Sequence, residues 1–381
     1  MGRNFELKQS NILSIFHALQ KHRYLSRKEL EAITKLSWGS VSAICNDLLE
    51  KGIIIAEKEA ATTGRPPERL TISTKKKLSL GIDINSVGLS FNVVNLAGVS
   101  VYSEFFILES RKKLDLLDVL KKKTGAILEN FNDIISINLS MQGALDRKSG
   151  ISLRSNFFED WNNVPLVEFF EKNFLIQTFL YHDPECLLTF HLANDARLRN
   201  KHNGIVIRID DGIGMAQITN DILYESDGNP ACELGHITVV PEGLPCPCGK
   251  KGCLEVYSSI RGMKNLYNIP ENYSSEKFIT DMCQQDEKSK AVLQQASMYL
   301  GLSIANLFTL YNPDFIILDG NAIAKLPIFF EEIKKYIHLF YNGNFNLLQA
   351  NYHKDAAAIG AAMITIDKLL EKIIFQTSEN Y

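Results

Sequence analysis

His236, Cys246, Cys248 and Cys253 fall within 18 residues, in the string ELGHITVVPEGLPCPCGKKGCLE. Three thiolates and one imidazole satisfy a tetrahedral zinc ion, and Pro and Gly between the cysteines let a short loop turn sharply enough to aim three sulfurs at one point. Four protein ligands leave no open position for an activated water, so the expected cofactor is a structural Zn2+. Cys232, at the start of the preceding segment, is left out of the set. Glu233 lies three residues before His236 and Glu255 two after Cys253, so the ion would fix two carboxylates beside one imidazole edge. Carboxylates held in this way suit the vicinal hydroxyls of a carbohydrate.

Seven cysteines, four of them between positions 232 and 253, do not suggest a disulfide framework. Cys45, Cys186 and Cys283 stand singly in apolar surroundings and read as buried core thiols. The chain has 381 residues, 45% hydrophobic and 22% charged, which excludes a disordered or collagen-like protein. No stretch approaches the roughly 18–20 unbroken apolar residues of a membrane helix, and the start lacks the apolar region of a secretory signal. The expectation is a cytoplasmic protein without a membrane partner.

Charge is uneven. Residues 1–77 carry 14 Lys and Arg against 8 Asp and Glu, whereas the remaining 304 carry 27 against 36. A basic segment on an acidic protein is the footprint expected for phosphate contact. Within it, Ile12, Leu13, Ile15, Phe16 and Leu19 recur at helical spacing over Asn11 to Leu19. Ser26 followed by Glu29 is a capping box that starts a second helix near Arg27, running to about Thr34. Ser37 can cap a third helix whose Val41, Ile44, Leu48 and Leu49 form its buried stripe, ending at Gly52. Two short helices with a tight turn make a helix-turn-helix.

The candidate DNA-contacting positions are the cap Ser37 and, off the stripe, Trp38, Gly39, Ser40, Ser42 and Asn46, with Ala43 among them. The runs Gly52–Ile55 and Arg69–Ile72 flank TTGRPPE and read as a hairpin wing, whose Arg65 can reach a backbone or a minor groove. The favoured partner is a double-stranded DNA operator.

The rest reads as layered α/β lobes. LSLGIDI, LSFNVVNL and VSVYSEFFIL are adjacent strands, Leu114–Phe131 a helix and Ile134–Leu139 a strand. TFLYHD ends a strand, and GIVIRI and GMAQIT form a hairpin across Asp211-Gly212. Ala291–Tyr311 is a long helix, FIILDG a buried strand and Ala356–Phe375 a closing helix.

The helix-turn-helix with its GRP wing, GIDI, ELGHITV with CPCGKKGCLE, and YNPDFIILDG together resemble the ROK family of repressors and kinases, over nearly the whole chain. The resemblance implies a winged helix-turn-helix followed by a two-lobed actin-like (ribonuclease H-like) sugar-kinase fold. The implied domains are 1–74 for DNA, 75–182 with 357–381 for the first lobe, and 183–356 for the second lobe with the zinc site and a dimerisation surface. It also implies a sugar between the lobes, held by Asn156, His182, Asp183, Glu233, His236 and Glu255, with Asp183 at the position of the kinases' base.

Three departures from the kinases bear on function. Their Asp-Gly-Gly-Thr phosphate loop reads Asp83-Ile84-Asn85-Ser86 here, with side chains that would obstruct phosphate. Their Gly-Ile-Gly-Gly-Gly run reads Gly212-Ile213-Gly214-Met215-Ala216, placing bulk in the nucleotide's path. Their late glycine pair reads Asp319-Gly320-Asn321, and the Asp319 carboxylate is expected to face adenosine or its phosphates. The implied protein is not an enzyme but a sugar-responsive transcriptional regulator, a repressor. Its effector is a sugar or phosphosugar, and it acts as a homodimer or a dimer of dimers. A ROK-type kinase that keeps a DNA-binding end, and a zinc-stabilised adaptor for a protein partner, remain the alternatives.

Overall fold

The computed structural model describes residues 2–58, 68–74, 76–155, 157–224, 232–270, 273–284 and 286–375. Arg65 and Asn156 lie outside these residues. The chain divides into two compact units, Met1–His182 with Ala357–Tyr381, and Asp183–Ala356.

The first unit opens with α1 (Gly2–His22), longer at both ends than the apolar periodicity suggested, α2 (Arg27–Thr34) and α3 (Trp38–Glu50). The capping box forms as expected: Ser26 Oγ accepts the Glu29 amide at 3.3 Å, and Ser26 N donates to Glu29 Oε2 at 2.7 Å. Lys35, in the left-handed region at φ 58°, ends α2. Two residues later Ser37 Oγ accepts the Ser40 amide at 3.3 Å and starts α3. β1 (Ile54–Lys58) and β2 (Glu68–Ile72) pair antiparallel as a wing, with Ile54 opposite Ile72.

Then come β3 (Leu78–Ile84), β4 (Gly88–Val94), β5 (Ser100–Ile107), α4 (Lys113–Asn130) and β6 (Ile134–Met141). A small three-stranded sheet follows, β7 (Ala144–Asp146), β8 (Ile151–Arg154) and β9 (Asn162–Val164), then α5 (Leu166–Phe174) and β10 (Thr178–His182). The main sheet has the order β10-β6-β3-β4-β5, parallel from β10 to β3 and antiparallel beyond. β3 and β4 are buried along their whole length, with Ser79, Asp83, Ser90 and Asn92 buried among their apolar side chains, as befits strands covered on both faces. The parallel strands β3, β6 and β10 bring Asp83, Met141 and His182 to one edge, the carboxyl end where α/β sheets take ligands.

The second unit begins with α6 (Asp183–Asn194) and the hairpin β11 (Gly204–Ile209) and β12 (Ile213–Thr219), followed by β13 (Ile222–Leu223). The helices α7 (Glu255–Ser258), α8 (Ile260–Leu266), α9 (Ser275–Met282) and α10 (Glu287–Tyr311) come next. β14 (Phe315–Asp319), α11 (Asn321–Lys325), α12 (Pro327–Phe340) and β15 (Leu347–Gln349) complete it, in a sheet of order β13-β12-β11-β14-β15. Leu293, Ala296, Leu300 and Ile304 of α10 and Phe329, Ile333 and Ile337 of α12 share its core. Each of the larger of these side chains contributes about 1.5–3 kcal/mol by leaving water.

The chain returns to the first unit through α13 (Ala356–Ile364) and α14 (Ile366–Phe375). The single closing helix expected from sequence is therefore two. Between them Thr365 turns its hydroxyl to the buried Asn138 Oδ1 at 2.9 Å. Gly81 of GIDI has a packing reason, because a Cβ there would lie 1.9 Å from the Ala358 carbonyl oxygen. The helix-turn-helix shares one hydrophobic core with Leu96, Ile366 and Leu370. Among the described residues no helix is long and apolar enough to cross a membrane.

Candidate functional site

His236 ends a 3-10 turn, Leu234–His236, and meets a loop in which bridges pair Thr238 with Cys253 and Pro245 with Lys251. Gly252 has φ 71°, and a Cβ there would lie 1.7 Å from the Val240 carbonyl oxygen. Glycine is thus required where the loop folds back. One donor atom from each of His236, Cys246, Cys248 and Cys253 lies within 4.8 Å of the others. His236 presents Nδ1, 3.6 Å from Cys246 Sγ, and Cys248 and Cys253 place their sulfurs 3.7 Å apart. Cys232 is not among them.

Burial, followed by hydrogen bonds from the Cys253 thiol to its neighbours Cys248 and Cys246, pushes Cys253 up to about 12, so a thiolate there needs a cation to balance it. Geometry and donor chemistry both fit a metal ion, and the cluster could bind one. Of the three lone cysteines, Cys45 and Cys186 are buried as expected. Cys283 is instead exposed, since α9 ends at Met282 and the thiol turns outward toward the Lys325 carbonyl at 3.6 Å.

The second unit places the expected sugar-binding carboxylates Asp183, Glu233 and Glu255, and gives two of them arginine partners. Asp183 accepts from Arg208 Nη1 at 2.8 Å, and Arg208 Nε donates to Asp210 at 2.7 Å. Glu255, two residues beyond the last cysteine, accepts from Arg261 Nη2 at 2.6 Å and from the Ile213 amide at 3.0 Å. Glu233 is exposed; partial loss of solvent first, and the nearby Glu255 charge, hold its pKa above the ordinary value against the opposing charge of His236. In the first unit His182, half-buried at the end of β10, is pushed down to about 4 by burial and by the positive charge of Arg147. The imidazole is therefore neutral at neutral pH.

Arg208, Asp210 and Arg261 were not singled out in the sequence, although charges closing the apolar strand GIVIRIDD were a signal for the first two.

The three glycine-loop regions are closed from within. Asn85 Oδ1 accepts the Val87 and Gly88 amides at 2.9 and 3.1 Å, so its side chain fills the loop it was expected to obstruct. Gly212 and Gly214 have packing reasons: a Cβ would lie 2.8 Å from Glu255 Oε2 at the first and 2.7 Å from Pro184 at the second. Asp210 Oδ1 accepts both the backbone amide of Asn321 at 2.7 Å and its side-chain amide at 3.1 Å.

Asp319 corrects an expectation. Its carboxylate does not face outward; it is buried, bonded to His191 Nε2 at 2.6 Å and to the Gly320 amide at 2.5 Å. An internal imidazole offers a buried carboxylate the partner it needs.

On the helix-turn-helix, α3 buries Val41, Ile44, Cys45 and Leu48. Ser37, Trp38, Gly39, Ala43 and Asn46 are exposed, while Ser40 and Ser42 are half-buried. Ser42 Oγ accepts from Arg27 at 3.0 Å, which ties α2 to α3.

The ROK family pattern matches residues 79–368. The chain is 25% identical over 375 residues to the xylose repressor of Bacillus spizizenii, covering 96% of this chain and 97% of that one. It is 24% identical over 385 residues to the DNA-binding transcriptional repressor Mlc of Escherichia coli, covering 95% and 94%. A crystal structure of a ROK family transcriptional regulator, a homologue of the E. coli Mlc protein, superimposes with TM-score 0.80 at 22% identity over 97% of this chain and 99% of that one. A ROK family glucokinase from Streptomyces griseus superimposes with TM-score 0.65 at 22% identity, over 75% of this chain and 98% of that one. With more than half its length matched by the family's pattern, a winged helix-turn-helix at its start and its His-Cys cluster assembled in space, this chain belongs to the ROK family.

Proposed function

We propose that the chain is a sugar-responsive transcriptional repressor and not an enzyme. Residues 1–74 bind a double-stranded operator through α3 and the wing, including Arg65. Residues 75–182 with 357–381 and residues 183–356 form the two lobes of an effector sensor, and two copies or a dimer of dimers engage paired half-sites. The effector is a sugar or phosphosugar held by Asn156, His182, Asp183, Glu233, His236 and Glu255. The cluster of His236, Cys246, Cys248 and Cys253 holds a structural zinc ion that keeps Glu233 and Glu255 in place.

The observation that carries this reading is the self-closure of the glycine loops. Phosphate cradles work by offering free backbone amides. Here Asn85, Glu255, Asp210 and Asp319 accept the amides of Val87 and Gly88, Ile213, Asn321 and Gly320. Three of these acceptors are carboxylates, which already occupy the amides a phosphate would need. The likeness to a glucokinase keeps a kinase as the second reading. A coupled assay of ATP turnover over common hexoses and pentoses, together with ATP calorimetry, separates them. Flat kinetics and no heat support the regulator; sugar-dependent turnover establishes the kinase.

A further inference from the structure

Helix α3, WGSVSAICNDLLE, contains no Lys or Arg. Its outer hydroxyls are already engaged within the protein: Ser37 and Ser40 bond each other at 2.9 Å, and Ser42 accepts from Arg27. Facing outward are Trp38, 48% exposed, Gly39, the Ala43 methyl and the Asn46 amide. At 3.6 residues per turn Asn46, Gly39 and Ala43 fall within about 60° of one another on the side opposite the buried stripe, and Trp38 stands at the border of that stripe beside the buried Cys45.

Gly39 has no internal reason to be glycine. A Cβ there meets nothing within 4 Å, and its backbone is not in the left-handed region. Glycine gives up helix stability relative to alanine, so the missing methyl serves whatever approaches from outside. Trp38 likewise places a large aromatic in solvent beside it. Guanine is read in the major groove by Arg or Lys, adenine by Asn or Gln, and the thymine C5 methyl by apolar groups.

We infer that α3 reads A·T pairs: Trp38 and Ala43 pack on thymine methyls, Asn46 bonds adenine, and Gly39 lets the first turn sit close to the groove. This rests on the proposed operator binding and deepens it by naming what the helix recognises. Specificity at the α3 positions then comes from methyl contact and one amide, with guanine recognition left to other parts of the chain.

The test begins with the full-length protein and a library of DNA duplexes with a randomised core. The enriched duplex is then remade with deoxyuridine replacing thymidine one pair at a time, which removes only the methyl. Enriched half-sites should carry runs of A·T, and uracil at one or two of those pairs should weaken binding about fourfold for each methyl removed, the worth of one buried methyl-sized group. Trp38→Ala should weaken binding and erase the thymine-over-uracil preference, and Trp38→Phe should restore part of it. Gly39→Ala should weaken binding while leaving the melting temperature no lower than that of the parent. Half-sites rich in guanine at the α3 positions, uracil swaps without effect, or a Trp38→Ala protein that still distinguishes thymine from uracil would overturn the inference and leave operator binding standing. Binding to no duplex at all would remove the operator reading and this inference with it.

Discussion

The carboxylate of Glu255 accepts the amide hydrogen of Ile213 at 3.0 Å. One residue lies two positions beyond the last cysteine of the cluster and the other lies in the glycine loop, so a single hydrogen bond joins the cysteine loop to the region where a kinase of this family would take nucleotide. Glu255 is buried and also carries Arg261. Its removal leaves a largely buried guanidinium and a backbone donor without their acceptor. Glu255→Ala should therefore lower unfolding free energy by about 3 kcal/mol, and Glu255→Gln, which keeps one acceptor, by about half as much. Urea unfolding of the three proteins checks the order.

The cysteine cluster should hold one zinc per chain. Cys253→Ser should abolish stoichiometric zinc in atomic absorption and remove on the order of 4 kcal/mol, seen as a fall in melting temperature of about 10 °C. Unchanged melting after this substitution would contradict the assignment.

The buried pair His191 and Asp319 ties α6 to the end of β14. Asp319→Ala strands the imidazole and the Gly320 amide and should cost about 2 kcal/mol. Returning glycine at this position should not create ATP turnover, because Asp210 still occupies the Asn321 amide.

His17 on α1 bonds Asp367 on α14 at 3.1 and 3.2 Å. The hydrogen bond to Asp367 raises the His17 pKa above 6.5, against the effect of burial. A raised histidine stabilises the fold fully below its unfolded pKa and loses that stabilisation as pH climbs through the folded one. The window therefore begins near 6.5 and extends upward. Both side chains are about half exposed, so the loss should be only about 0.5 kcal/mol. Unfolding of the parent at pH 6 and pH 8.5 should show it, and His17→Gln should remove it.

Legibility in the sequence followed locality. The capping box of Ser26 and Glu29, the Ser37 cap and the cysteine loop are short-range arrangements, and each formed where its residues said it would. Alternation and apolar runs located β3, β4, β11 and β14 for the same reason. What escaped depended on partners far apart in the chain. Nothing near Asp319 announces His191, 128 positions earlier, and nothing near Thr365 announces Asn138, 227 positions earlier. Arg208 and Arg261 were missed because a carboxylate's counter-charge is chosen by the fold and not by spacing. Cys283 looked internal from its neighbours, yet the end of α9 turned it outward.

The measurement that bears most directly on the central claim is fluorescence anisotropy of a labelled operator duplex titrated with the full-length protein, with and without a panel of sugars and phosphosugars at fixed salt. The account predicts tight binding that one carbohydrate class weakens at least tenfold, with ATP having no effect. Operator binding indifferent to every carbohydrate, or altered by ATP, would contradict it.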